Sequence, residues 1–348
     1  MGSLSGPTLN IICDMFAFQI TGKLLGEIVE VAKPEPSNGE VRIKVAYVGI
    51  CGSDLHYYFD GANGAFVVKE ALVPGHELSA TVDFDPSGEF IAGTKVTLHP
   101  ATFGTCEPGL EDKRHLWPGG GYLGSASTNP HTQGAMSEYF IARKDALRIL
   151  PEKLSLEVAA LAEPLGVALH AINISGSVKD KDVLISGSGP IGLMVIAASK
   201  ILGAKSITAT DVLDTALVRA KDLGANSVIN VANQKLPDNS YDVIFECSAA
   251  APAISAAMVA VRRAGIIVQV GMMGAKAQEL LLAPLVAKEI QFRGTFRFNT
   301  EVDDAITMLA QNEWIGKAIS HTFKLDQVIE AFEVAKDSAK SGKVLVAL

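Results

Sequence analysis

The chain has 348 residues, 48% of them hydrophobic and 20% charged, with a formal net charge of −8 and a sequence pI of about 5.4. That length suits roughly two domains with a sizeable core. The acidic balance excludes the basic footprint of a nucleic-acid binder, and apolar stretches such as 256–261 are cut by charges (Arg262, Arg263), which excludes a membrane span.

In chain order, the opening MGSLSGPTL lacks the basic and apolar regions of a secretory signal. Gly6 stands where a myristoylation pattern needs Ser or Thr. Residues 1–165 are rich in strands and turns. Runs 27–31 and 41–48 are β-formers, separated by a turn at Pro34, Pro36, Asn38 and Gly39, and 73–82, 95–98 and 137–141 read as further short strands. From Leu156 the apolar spacing becomes helical, and Pro164 is predicted to kink or restart that helix. Beyond Val183 strands at 183–186, 206–211, 227–230, 243–247, 265–270 and 289–293 alternate with helices such as 216–223 and 253–262, the rhythm of one complete doubly wound unit. The tail, with helices at 305–311 and 326–337 and a strand at 343–347, does not extend that unit and is expected to pack on the first half. Cys13, Cys51, Cys106 and Cys247 are too scattered for a disulfide framework, which points to reduced thiols in the cytoplasm.

The densest stretch follows Ser186. Gly187, Gly189 and Gly192 keep the G-x-G-x-x-G spacing between a β-branched run and an apolar helix opened by Pro190 and Ile191. Gly187 would make the strand-to-helix turn, Gly189 would let backbone approach a pyrophosphate, and Gly192 would let the helix pack on the strands. The pyrophosphate would rest on the unpaired N–H groups at the helix start. Asp211 ends the next strand, where a carboxylate accepts from the adenosine ribose hydroxyls and repels a 2′-phosphate, so NAD is expected over NADP. A glycine-rich turn in any α/β protein is the alternative for the glycines alone.

A second cluster runs Gly49-Ile50-Cys51-Gly52-Ser53-Asp54-Leu55-His56, followed by Gly75-His76-Glu77. Cys51, His76 and Glu77 are zinc-ligand types, and three protein ligands plus an open position is the catalytic zinc pattern. Such a zinc would lower the pKa of an alcohol, and Ser53 and His56 could relay its proton to water. By spacing alone, a buried cysteine and an incidental His–Glu pair remains an alternative.

Together these motifs resemble the zinc-dependent medium-chain alcohol and polyol dehydrogenases over nearly the whole chain. The resemblance implies an α/β protein: a GroES-like, mainly-β catalytic domain of residues 1–160 completed by 297–348, with an inserted Rossmann NAD-binding domain of residues 161–296. It places catalytic zinc ligands on Cys51, His76 and Glu77 and the proton relay on Ser53 and His56. Glu163, in Ala162-Glu163-Pro164-Leu165, would hold the zinc-bound water or swap with it as a ligand. Many members carry a second zinc on a four-cysteine lobe. The matching stretch here, from Phe103 to Trp117, keeps only Cys106, so one zinc per chain is expected, with Phe103 and Trp117 covering the lobe by apolar packing.

Within the family, His56-Tyr57-Tyr58 and Phe66-Val67-Val68-Lys69 are similar to the polyol and L-idonate branches alike, while 268–273, 288–294 and Phe296-Arg297-Phe298 are similar to the L-idonate 5-dehydrogenase branch. The resemblance implies a small-molecule substrate, L-idonate going to 5-ketogluconate, with L-iditol, sorbitol or xylitol as the polyol alternative. Arg297 is the candidate cation for a substrate carboxylate, or else holds Glu163 or a water. Tyr57 and Phe66 are candidate pocket residues. The alternating apolar segment 279–293 implies a homo-oligomer, dimer or tetramer. A non-catalytic dinucleotide-binding protein would be expected to have lost Cys51, His76, Glu77, Ser53 and His56, and all five are present.

Overall fold

The computed structural model describes residues 15–274 and 276–348; the N-terminal segment read for targeting patterns, with Gly6 and Cys13, lies outside the described residues. Two sheets dominate it. The first runs in the order Leu147–Ile149, Lys95–Leu98, Glu77–Phe84, Glu40–Gly49, Lys343–Ala347, Ile319–Lys324, with Tyr139–Arg143 also paired to Glu40–Gly49. Its register alternates as strand sterics require: Val41, Ile43 and Val45 point into the core while Arg42 and Lys44 point away. Lys343–Ala347 is interior to the sheet, and its Val344, Leu345 and Val346 are all buried.

The second sheet is wholly parallel, in the order Ser227–Asn230, Ser206–Asp211, Asp182–Ser186, Tyr241–Glu246, Val261–Gln269, Gln291–Gly294. The chain moves outward on one side of Asp182–Ser186 and then on the other. That reversal opens a crevice at the carboxyl end of this strand, where Gly187 begins.

The structure differs from the sequence expectation in places, each with a local cause. The strand expected at 73–82 begins only at Glu77, because Pro74 lacks an N–H and Gly75 takes a left-handed φ of 97°. The helix expected at 253–262 spans Ala251–Ala260, and Arg262 lies in the following strand. The helical stretch from Leu156 is two helices, Leu156–Ala159 and Ala162–Ser175; Pro164 falls in the first turn of the second, where a missing N–H costs no intrahelical bond. The strand expected at 27–31 spans Leu25–Val31 and pairs with Met15–Gly22, a strand absent from the sequence expectation, as is Ile319–Lys324, in which half-buried and exposed residues alternate. The tail divides. Ile319–Lys324 and Lys343–Ala347 join the first sheet and the helix Val328–Lys336 packs on its core, but Val302, Ile306 and Leu309 of the helix Val302–Gln311 share a core with Leu165, Leu169 and the parallel sheet.

Candidate active site

Antiparallel pairing brings the expected metal ligands together. Gly49, the last residue of its strand, lies opposite Glu77, the first residue of the next, so Cys51 and His76–Glu77 meet at one end of the sheet. Sulfur, imidazole nitrogen and carboxylate oxygen of Cys51, His76 and Glu77 all lie within 4.8 Å of one another. Gly49 makes this possible, since a Cβ there would collide with the Glu77 carboxylate. Asp54, fully buried in the first turn of the helix Gly52–Asp60, accepts from the Cys51 N–H (2.9 Å) and the Gly75 N–H (3.2 Å). One carboxylate therefore ties together both ligand-bearing loops.

Sequence reasoning did not find the partner of Glu77. Lys343, buried at the start of its strand, sets its Nζ 2.7 Å from Glu77 Oε1 and 2.6 Å from Oε2, and donates to the Ile50 carbonyl at 3.1 Å. Burial pulls the Lys343 ammonium down, but Glu77 and Cys51 outweigh it and raise its pKa. A lysine opening an otherwise apolar strand was the available signal, because a fully buried lysine is almost always paired.

Glu163 stands apart from the three-residue cluster. Its Oε1 accepts from the Tyr122 hydroxyl at 2.5 Å, and both residues are buried. Burial raises the Glu163 carboxyl, and burial beside Glu163 raises Tyr122 well above the usual phenol value, so the proton stays on Tyr122. The Arg297 guanidinium stacks 4.0 Å from the Tyr122 ring, and the His76 ring meets it edge-on at 5.3 Å. Arg297 holds a left-handed φ of 51°, an unusual conformation for a residue with a Cβ. Tyr122 was missed because nothing in Gly119-Gly120-Gly121-Tyr122 marks it for chemistry.

The residues fit a zinc ion. Thiolate, imidazole and carboxylate are its donor set, and His76 Nδ1 is buried without a hydrogen-bond partner among the described residues. Burial pushes the His76 imidazole down, but Cys51, Asp54 and Glu163 around it prevail and hold it up at about 10. A buried pocket with that much negative charge attracts a cation.

The other expected site residues are placed as follows. His56 is largely exposed, with Nδ1 2.9 Å from Asp60 Oδ2, and no direct hydrogen bond links it to Ser53 among the described residues. Tyr57 is packed in the core rather than on an open pocket: its hydroxyl lies 3.2 Å from Ser125 Oγ and accepts from Ala126 N–H at 3.1 Å. Phe66 lies exposed on a short hairpin, because among the described residues Phe66–Val67 pairs only with Ala62–Asn63. In the lobe, the Arg114 guanidinium sits 4.1 Å from the Phe103 ring and 5.8 Å from Trp117, so the cover is a cation held between aromatics rather than apolar packing alone. Cys106 is exposed.

At the crevice of the parallel sheet, Gly187 has a φ of 94°, and a Cβ there would press on Ser248. Gly192 packs its helix so closely that a Cβ would strike the Gly187 carbonyl, whereas a Cβ on Gly189 would meet nothing within 4 Å. That open space lies at the N-terminus of Pro190–Ile201, where Ile191 and Gly192 lie in the first turn, as a pyrophosphate cradle requires. Asp211 Oδ2 accepts from Ser188 N–H (2.9 Å), and Oδ1 from Val212 and Leu213 N–H (2.8 and 3.0 Å). Arg219 is turned away to the Ser338 carbonyl at 2.6 Å.

A thiolate–imidazole–carboxylate cluster on a mainly antiparallel sheet, beside a six-stranded parallel sheet with a dinucleotide cradle, defines a metal-dependent dehydrogenase. Residues 37–152 match the alcohol dehydrogenase GroES-like domain and residues 190–311 the zinc-binding dehydrogenase domain, and the chain belongs to that family. It is 34% identical over 333 residues to L-idonate 5-dehydrogenase (NAD(P)(+)) of Escherichia coli K12, covering 93% of this chain and 96% of that one. It is 33% identical over 314 residues to sorbitol dehydrogenase of Bacillus subtilis, covering 87% and 88%. The crystal structure of the E. coli L-idonate 5-dehydrogenase superimposes with a TM-score of 0.87 at 32% identity, over 96% of this chain and 98% of that one.

Proposed function

We propose that the chain oxidises a secondary alcohol of a sugar acid with NAD, L-idonate to 5-ketogluconate, and that it carries one zinc per chain, held by Cys51, His76 and Glu77. Zinc there supplies Lewis acidity, which polarises an alcohol oxygen and eases loss of its proton. The chain's own residues do the rest. Gly189 leaves room for the dinucleotide in the cradle that Gly187 and Gly192 shape, Asp211 selects NAD by repelling a 2′-phosphate, and His56, paired with Asp60 at the surface, passes the released proton to water after Ser53. Described cysteines Cys51, Cys106 and Cys247 are all free, which supports a cytoplasmic setting.

The observation that carries the sugar-acid reading is Arg297, a mostly buried guanidinium beside Tyr122 and within electrostatic reach of Glu163. A substrate carboxylate entering a partly dry cleft needs such a cation, or its desolvation goes uncompensated. The same contacts support the polyol reading, in which Arg297 serves only the protein's own tyrosine and glutamate. Arg297→Met separates them. On the sugar-acid reading it lowers kcat/KM for L-idonate by roughly 2–4 kcal/mol while a neutral polyol loses much less. Equal losses on both substrates, or sorbitol turning over better than L-idonate in the unmutated protein, would reject it.

A further inference from the structure

We propose that Tyr122 is a positioning residue that holds Glu163 away from Cys51, His76 and Glu77, keeping one position of that metal site free of protein. This rests on the zinc dehydrogenase reading and extends it to a residue outside the ligand set.

Glu163 lies in the first turn of the helix Ala162–Ser175 and is buried, so its carboxylate must find a donor or a cation. His76, Lys343 and Arg297 act on it electrostatically, and the Tyr122 hydroxyl and whatever Cys51, His76 and Glu77 hold compete for it directly. The structure gives Glu163 to Tyr122 at 2.5 Å and leaves it out of the group whose ligand atoms lie within 4.8 Å. The hydroxyl has little freedom to let go. Gly121–Tyr122 is pinned by antiparallel pairing to Ala101–Thr102 and by the Gly121 N–H donated to Thr102 Oγ1 at 2.9 Å. The ring is then held by the Arg297 guanidinium at 4.0 Å and the His76 ring at 5.3 Å. A phenylalanine would fill the same space against the same neighbours and lack only the O–H. That O–H is the direct donor that holds the carboxylate back from the metal site. A catalytic zinc keeps an open position, and a fourth protein ligand would close it.

Tyr122→Phe in the zinc-loaded and cobalt(II)-substituted holoenzyme tests this without depending on turnover. The freed carboxylate should bind the metal, so zinc should be held roughly tenfold more tightly in chelator competition and the visible cobalt spectrum should change. In a Glu163→Gln background, Tyr122→Phe should alter neither. Glu163→Gln alone should leave zinc affinity within about twofold of the unmutated protein, far less than the loss of an inner ligand, and this holds the test open if Tyr122→Phe folds poorly. Unchanged affinity and spectrum in Tyr122→Phe would overturn the proposal. So would the same change in the Glu163→Gln background, which would trace it to ring packing, or a tenfold loss of zinc in Glu163→Gln alone. Elemental analysis of the unmutated protein separates the two readings: less than one zinc per chain would bring down the zinc assignment itself.

Discussion

Asp54 shows how much a metal site depends on groups that do not touch the metal. Its two oxygens accept the N–H of Cys51 and of Gly75, the residue before His76. Asn at this position keeps the shape but turns one acceptor into a donor facing an N–H. Asp54→Asn should therefore loosen one ligand loop and weaken zinc binding by roughly 10–100-fold, measured by chelator competition, while circular dichroism stays that of the folded protein. Zinc affinity unchanged by the substitution would mean the loops hold their geometry without this clamp. The ligand types themselves were legible in the sequence because thiol, imidazole and carboxylate chemistry belongs to the residue. Their partners were not: Lys343 reaches Glu77 across 266 positions and Tyr122 reaches Glu163 across 41, and no local pattern encodes such a meeting.

Among the elements, the glycine turn separates binding from packing within six residues. At Gly189 a side chain meets open space, and at Gly192 it meets the Gly187 carbonyl. Gly189→Val should leave the thermal midpoint nearly unchanged while filling the cradle, so NAD binds at least about tenfold more weakly, a cost of about 1.4 kcal/mol. Gly192→Val should instead destabilise the fold by roughly 1–3 kcal/mol. Calorimetric titration with NAD and thermal unfolding of both variants check the pair; normal NAD affinity in Gly189→Val would place the pyrophosphate elsewhere. The motif was readable because its strand, helix and terminal Asp211 are contiguous in sequence. The sequence did not show that Asp211 also accepts the Ser188 N–H, closing the glycine loop onto the next strand.

At the scale of the whole molecule, one feature fastens the returning chain and another faces outward. Glu301 on the returning chain accepts from His170 Nδ1 at 2.7 Å and Asn173 Nδ2 at 3.1 Å, and from the N–H groups of Asn299 and Thr300. Burial pushes its carboxyl up, but His170 and these donors prevail and hold it down at about 2, so the tail stays fastened to the helix Ala162–Ser175. The second feature faces outward. Gln291–Gly294 is the last strand of the parallel sheet, and Val286 (80% exposed), Met272 (74%) and Phe292 (39%) lie on or near that edge. An edge left unpaired among the described residues, with apolar neighbours, is a site for pairing with another strand, and we propose that a second copy covers it. Light scattering at micromolar concentration should give a dimer or tetramer, and Val286→Asp with Phe292→Lys should shift it toward monomer. A monomeric unmutated protein would refute the assembly.

The sequence by itself determined the chemistry available and the order of elements. A G-x-G-x-x-G turn, an acidic strand end and three zinc-ligand types need only residue identity and short spacing to be read. Tertiary structure decided which groups face one another. It gave Glu77 to Lys343 and Glu163 to Tyr122, packed Tyr57 into the core, left Phe66 exposed and divided the tail between two cores. These outcomes turn on the desolvation of buried charges and on strand register between distant segments, and both are fixed only when the chain closes on itself.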